Sequence, residues 1–145
     1  MQQGRPSPGI LDLDRVPPAV LVALGAVLGT AVRWLAEETV ATPALALESL
    51  AVGLVIAGLN VAGSALVGWL AGRGHRGSSL WRLGAIGFGG GLTTFSSYVV
   101  DVARRLDQGD LTGAAGLSAA NIVLTIAAAA VAYSLAHPSN AASTP

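Results

Sequence analysis

The chain is 145 residues long, but 52% of it is hydrophobic and only 11% is charged, against about 25% charged in soluble domains. Eight basic and eight acidic residues cancel to zero formal charge, every basic residue is Arg, and there is no Cys. These figures exclude a basic nucleic-acid surface, disulfides and thiolate metal ligands, and they point to an all-α integral membrane protein.

Residues 1–15 read as a polar tail. Arg5, Asp12, Asp14 and Arg15 precede the first apolar run, so the tail does not read as a secretory leader. The first predicted span covers about 17–36, close to the roughly 20 residues a membrane helix needs. Pro17 and Pro18 suit a helix start. Gly25 and Gly29 form a small-xxx-small pair that admits a second helix at close range. Arg33 and Trp34 lie near its far end, and Glu37-Glu38-Thr39 opens a linker that holds Pro43 and Glu48.

The second span, about 50–71, carries Asn60 mid-way and a row of small residues: Gly53, Gly58, Gly63, Ser64 and Gly68. A basic loop follows, Gly72-Arg73-Gly74-His75-Arg76-Gly77. The third span, about 80–103, contains Gly87-Phe88-Gly89-Gly90-Gly91-Leu92-Thr93-Thr94-Phe95-Ser96-Ser97-Tyr98. Four glycines and four aliphatic hydroxyls crowd into these twelve residues. Glycine costs a helix interior roughly 1 kcal/mol relative to alanine, so a break is predicted at Gly89–Gly91. In lipid, freed backbone persists only where protein or a wet cavity satisfies it, and broken spans are a way of presenting carbonyls and amides to ions. The alternative is that these glycines only allow tight packing.

The fourth span, about 112–136, places Asn121 and Thr125 one turn apart. Residues 16–137 thus form one four-helix transmembrane unit, and 138–145 read as a disordered tail. The N-terminal side would carry Arg5, Arg15, Arg73, Arg76 and Arg82, and the other side Arg33, Arg104 and Arg105. That is a weak bias under the positive-inside rule, compatible with insertion both ways. Four short helices make too thin a bundle to enclose a pore, so oligomerisation is expected.

Three segments carry a family resemblance. Gly25-Ala26-Val27-Leu28-Gly29-Thr30-Ala31-Val32-Arg33-Trp34 is similar to G-x-x-G-A-x-x-R-Y, and Asn60-Val61-Ala62-Gly63-Ser64 to N-x-x-G-S. The glycine-rich segment is similar to G-F-C-G-G-L-T-T-F-S-T-F, the most specific of the three. Together, over about 17–136, they resemble the Fluc (CrcB) fluoride channels. The resemblance implies an antiparallel dual-topology dimer in a bacterial inner membrane, with fluoride as the permeant ion. It also implies a structural Na⁺ at the dimer centre, held by the backbone carbonyls of Gly90 and Thr93 of both subunits. The implied fluoride path comprises Asn60, Phe95, Tyr98, Thr94, Ser96, Asn121, Thr125 and Arg33. Tyr98 stands where the family usually has Phe, Gly89 where Cys is common, and Asp101 where Glu is usual. A non-standard aromatic pair also fits one half of a paralogous heterodimer.

The residue chemistry leaves alternatives beside each role. Fluoride holds its water tightly, and Asn60 and the hydroxyls are donors that could replace it; Asn60 is otherwise interhelical glue. Phe95 is packing, or its positive ring edge meets an anion. Thr94 and Ser96 either face the path or back-bond to the i−4 carbonyl. Arg33 anchors at the interface or makes an anion-attracting vestibule. Asp101 is expected to pair with Arg104 at i+3. An enzyme is not expected, because no nucleophile–His pair or paired carboxylates lie mid-span. A small multidrug-type proton-coupled exporter would need a carboxylate in the first span, and none precedes Glu37.

Overall fold

The computed structural model describes residues 12–40 and 48–137, and these contain helices only. The expected disordered tail at 138–145, most of the N-terminal tail and the linker around Pro43 lie outside the described residues. A short 3₁₀ turn, Leu13–Arg15, precedes α1, Pro18–Val40, and α2 is Glu48–Gly72. The third span begins as a π-helix, Trp81–Gly89, and continues as α3, Gly90–Leu92, then α4, Ser96–Asp107. The chain closes with α5, Leu111–Ala136. Four stretches are long and apolar enough to cross a membrane: Pro18–Thr39, Val52–Gly72, Trp81–Asp107 and Leu111–Ala136.

Helices α1 and α4 outrun their expected ends, and for related reasons. Glu37 sits one turn beyond Arg33, 3.9 Å from its guanidinium, so polar residues that end the apolar stretch still extend the helix. In α4, Arg104 and Arg105 occupy the last turn, where cations favour the helix dipole. Helix α4 stops only at Gly109, whose positive φ of 77° turns the chain. Asp110 then starts α5 by accepting the Gly113 N–H at 2.8 Å on its side chain.

The expected break at Gly89–Gly91 is not where the chain leaves helical geometry. Gly89 and Gly90 are both right-handed helical. The first extended residue is Thr93, with φ −78° and ψ 150°. The glycines act instead on packing. A Cβ at Gly25 would strike the Leu83 carbonyl, and one at Gly29 the Phe88 carbonyl, while Gly91 meets the Ala26 carbonyl. Backbone contact of this kind between α1 and the third span is possible only without side chains on both surfaces.

A second close pair is formed by α2 and α5. Gly68 lies against the Ala129 carbonyl and Gly72 against that of Tyr133. The two contacts keep one register, so α2 and α5 run parallel, as α1 and the third span do. Successive spans therefore alternate in direction. Little of this surface is internal: only 6% of the α5 span is buried, and Leu135 and Phe95 are 81% and 78% exposed. One chain is an open bundle whose remaining apolar surface faces lipid or another subunit.

Candidate functional site

The interruption after Leu92 is held by Asn60 of α2. Its Oδ1 accepts the Thr94 N–H at 2.8 Å and its Nδ2 donates to the Thr94 carbonyl at 3.2 Å. Both residues are buried, so the side-chain amide replaces backbone bonds that a continuous helix would have made. Nδ2 also lies 3.3 Å from Oδ1 of Asn121 on α5. Three spans thus converge on one amide.

The Thr94 hydroxyl organises the next turn. It accepts the Ser97 N–H at 3.2 Å, donates toward the Ser97 hydroxyl at 3.2 Å and lies 3.2 Å from the Ser96 hydroxyl. An oxygen that accepts an N–H three residues on caps a helix, and Thr94 caps α4 in this way. Thr94 and Ser96 therefore do not back-bond to their own i−4 carbonyls. Thr93 does so, to Gly89 at 3.0 Å, and Thr125 does so to Asn121 at 2.7 Å. Ser97 was absent from the sequence-derived site. The Thr94-x-x-Ser97 spacing at a helix start is the signal that could have found it.

Past the cap, the rings of Phe95 and Tyr98 lie 5.9 Å apart at 46°. The two rings lie one turn apart on α4, with Phe95 largely exposed on this chain. Beneath Tyr98 a void of about 10 Å³, the scale of one water molecule, is bounded by Gly53, Ile56, Asp101 and Leu117. Asp101 is only 7% exposed, and its partner is Arg105 at i+4, 3.9 Å away, not Arg104. Arg105 also donates to Asp110 at 3.3 Å, tying the end of α4 to the cap of α5.

Arg33 lies apart from this cluster. Its closest acid is Glu37 at 3.9 Å, and Arg33 Nε and Glu37 Oε1 are buried without a hydrogen bond. The arginine is thus part-compensated by an acid one turn along its own helix.

Gly90 and Thr93 share an open groove of about 390 Å³ with Gly63, Ser64, Val67 and Gly89. The usual i+4 donors to their carbonyls are committed elsewhere: Thr94 N–H to Asn60, and Ser97 N–H to the Thr94 hydroxyl. Two backbone oxygens are therefore left without their helical partners one turn apart. Oxygen-only donors suit a hard cation, so the donor set fits Na⁺ better than a transition metal. Among the described residues there is no cluster of His, Cys, Asp or Glu able to hold a metal.

Residues 20–133 match the family model described as CrcB-like protein, Camphor Resistance (CrcB). The chain is 36% identical over 116 residues to the fluoride-specific ion channel FluC 2 of Parasynechococcus marenigrum, covering 80% of this chain and 78% of that one. It is 39% identical over 114 residues to FluC 2 of a Synechococcus species, covering 79% and 75%. To the fluoride-specific ion channel FluC of Bordetella petrii it is 38% identical over 120 residues, covering 80% and 88%.

Proposed function

This chain belongs to the CrcB family, and on that footing we propose that it is a passive, fluoride-selective ion channel that lowers internal fluoride. Family membership makes it a multi-pass membrane channel, not an enzyme. The observation that carries the residue-level reading is the Asn60–Thr94 pair, which interrupts the third span next to the Phe95–Tyr98 ring pair. Fluoride leaving water needs several donors at once. The Asn121 amide and the hydroxyls of Ser96 and Ser97 supply them within one neighbourhood, with no carboxylate among them, and Asn60 and Thr94 join by exchanging the bonds they hold in this chain for the ion. The edges of Phe95 and Tyr98 add weakly positive C–H groups. Thr125 already donates to the Asn121 carbonyl, so its role is to orient Asn121. Arg33, biased by Glu37, adds positive potential toward one mouth.

The active unit in this reading is a homodimer of oppositely inserted copies. Phe95 cannot line an enclosed path while 78% exposed, and a second copy over α4 would cover it. The weak arginine asymmetry is compatible with insertion in both directions. Gly90 and Thr93 of the two copies would hold Na⁺ through their carbonyls. When bound, the ion supplies fixed positive charge at the contact between copies and joins them there. Two oxygens from one chain do not complete an oxygen shell, which is why the second copy belongs to the site.

The deciding experiment is fluoride efflux from liposomes containing only this purified chain, with chloride as the control anion. Fast fluoride efflux with little chloride efflux is expected, without any imposed proton gradient. Folded protein that passes no fluoride alone, but does so once a paralogous chain is added, would overturn the homodimer. Efflux that requires a proton gradient would overturn the channel.

A further inference from the structure

A second site lies at the membrane-interface end of the molecule where α2 and α5 finish side by side. Gly72 closes α2 against the Tyr133 carbonyl and the Ala136 Cβ. The loop then turns through Gly74 and Gly77, at φ 75° and 83°, so that Arg73 and Arg76 stay close to the two helix ends. A cavity of about 410 Å³ results, lined by Arg73, Gly74, Arg76, Tyr133 and His137 together with the end of α2. That volume is within the ~300–1,000 Å³ of small-ligand sites.

We propose that this cavity binds the phosphate headgroup of an anionic phospholipid. Four observations carry the assignment, and none depends on the fluoride reading. First, the lining includes two permanent cations and an imidazole but no carboxylate, and arginine matches phosphate oxygens in a two-pronged geometry. Second, several of the helix-end carbonyls that would repel an anion are already engaged, three on α2 and one on α5. Arg73, Gly74 and His75 N–H groups close α2 onto Trp69, Ala71 and Leu70, and His137 N–H closes α5 onto Tyr133.

Third, the Arg73 guanidinium lies over the Trp69 ring at 5.0 Å, and the Tyr133 and His137 rings are 5.5 Å apart. The first contact restrains the cation before any ligand arrives. Trp and Tyr are also the residues that sit at headgroup depth, which sets the cavity at the level of lipid phosphates. Fourth, Val131 and Leu135 near the end of α5 are exposed, at 57% and 81%. They offer acyl-chain surface beside the charged mouth, which a soluble phosphate would not use. Basic pockets between helix ends are a recurrent way of holding anionic lipid headgroups.

The test uses the full chain purified in neutral detergent, with bound lipid read by native mass spectrometry in mixtures of phosphatidylglycerol and phosphatidylcholine. The wild type is expected to retain phosphatidylglycerol preferentially. The Arg73→Gln/Arg76→Gln variant should lose roughly thirty-fold of that preference, the effect of two arginines near an anionic headgroup. Its melting temperature in phosphatidylcholine alone should stay at the wild-type value. The control Arg15→Gln/Arg104→Gln removes the same net charge elsewhere and should keep the preference. Unchanged retention in the first variant, or equal loss in the control, would overturn the site. Inorganic phosphate that displaces the lipid at equal concentration would overturn a lipid occupant. If the first variant does not fold, Arg76→Gln alone, which leaves the Arg73–Trp69 contact in place, provides the readout, with an expected loss of roughly fivefold.

Discussion

Asn60 and Thr94 satisfy one another in both directions across 34 positions of sequence: the amide oxygen takes the threonine N–H and the amide nitrogen gives to its carbonyl. This closed pair lets a membrane helix stop and restart without leaving that peptide unit unsatisfied in lipid.

Replacing Asn60 with Ala should therefore be costly twice. Leaving a buried donor and acceptor unpaired costs about 1–3 kcal/mol each, visible as a lower melting temperature in detergent. Fluoride efflux should fall by far more than the folded fraction does. Asn60→Asp keeps the acceptor for Thr94 N–H but turns an unpaired negative oxygen toward the Thr94 carbonyl, so it should restore neither stability nor flux. Wild-type flux in Asn60→Ala would remove this residue from the path.

The aromatic pair divides differently. Phe95→Ile keeps apolar bulk and discards the ring edge, and we expect at least a roughly tenfold loss of fluoride efflux, equivalent to about 1.4 kcal/mol, with little change in folding. Tyr98→Phe keeps both ring edges and should still conduct. Efflux from matched liposomes measures both, and equal rates for Phe95→Ile and wild type would contradict the edge-on role.

The proposed Na⁺ site at the carbonyls of Gly90 and Thr93 predicts a sodium dependence. An ion that binds only the folded dimer stabilises it by mass action. Exchange of Na⁺ for a bulky organic cation should lower the melting temperature and the dimer fraction together, with both restored on adding Na⁺ back. No response to that exchange at fixed ionic strength would argue against the cation.

Arg105 compensates the buried carboxylate of Asp101. Breaking a fully buried pair costs about 3–5 kcal/mol; here the 3.9 Å separation and the 25% exposure of Arg105 place Arg105→Ala toward or below the lower end. The double variant with Asp101→Asn should regain much of the loss, because no charge is then stranded. Thermal unfolding of the two single variants and the double variant provides the cycle.

Much of the fold was legible because membrane insertion leaves few options. Apolar length, proline at the start of α1 and charged loops mark four spans, and Gly25 and Gly29 announce close packing through their four-residue spacing. The candidate site was legible as a set of residue types: an amide, hydroxyls and two rings around a glycine-rich run. The exact interruption was not. Three consecutive glycines predict a break from propensity alone, yet Gly89–Gly91 stay helical, with Gly91 packed on the α1 backbone at Ala26 and Gly89 facing Val67 of α2. The chain departs at Thr93, where an amide from another span competes for the backbone.

The sequence by itself determined that this is a four-span membrane protein and singled out the third span as its candidate site, since both follow from local composition and order. Only the tertiary structure decided which groups meet: Asn60 with Thr94 and Asn121, Asp101 with Arg105 and not Arg104, and Arg73 with Arg76 and His137 around one cavity. Those pairings depend on the parallel register of α2 with α5 and of α1 with the third span. That register is set by backbone contact at glycines far apart in the chain, which no local window of residues contains.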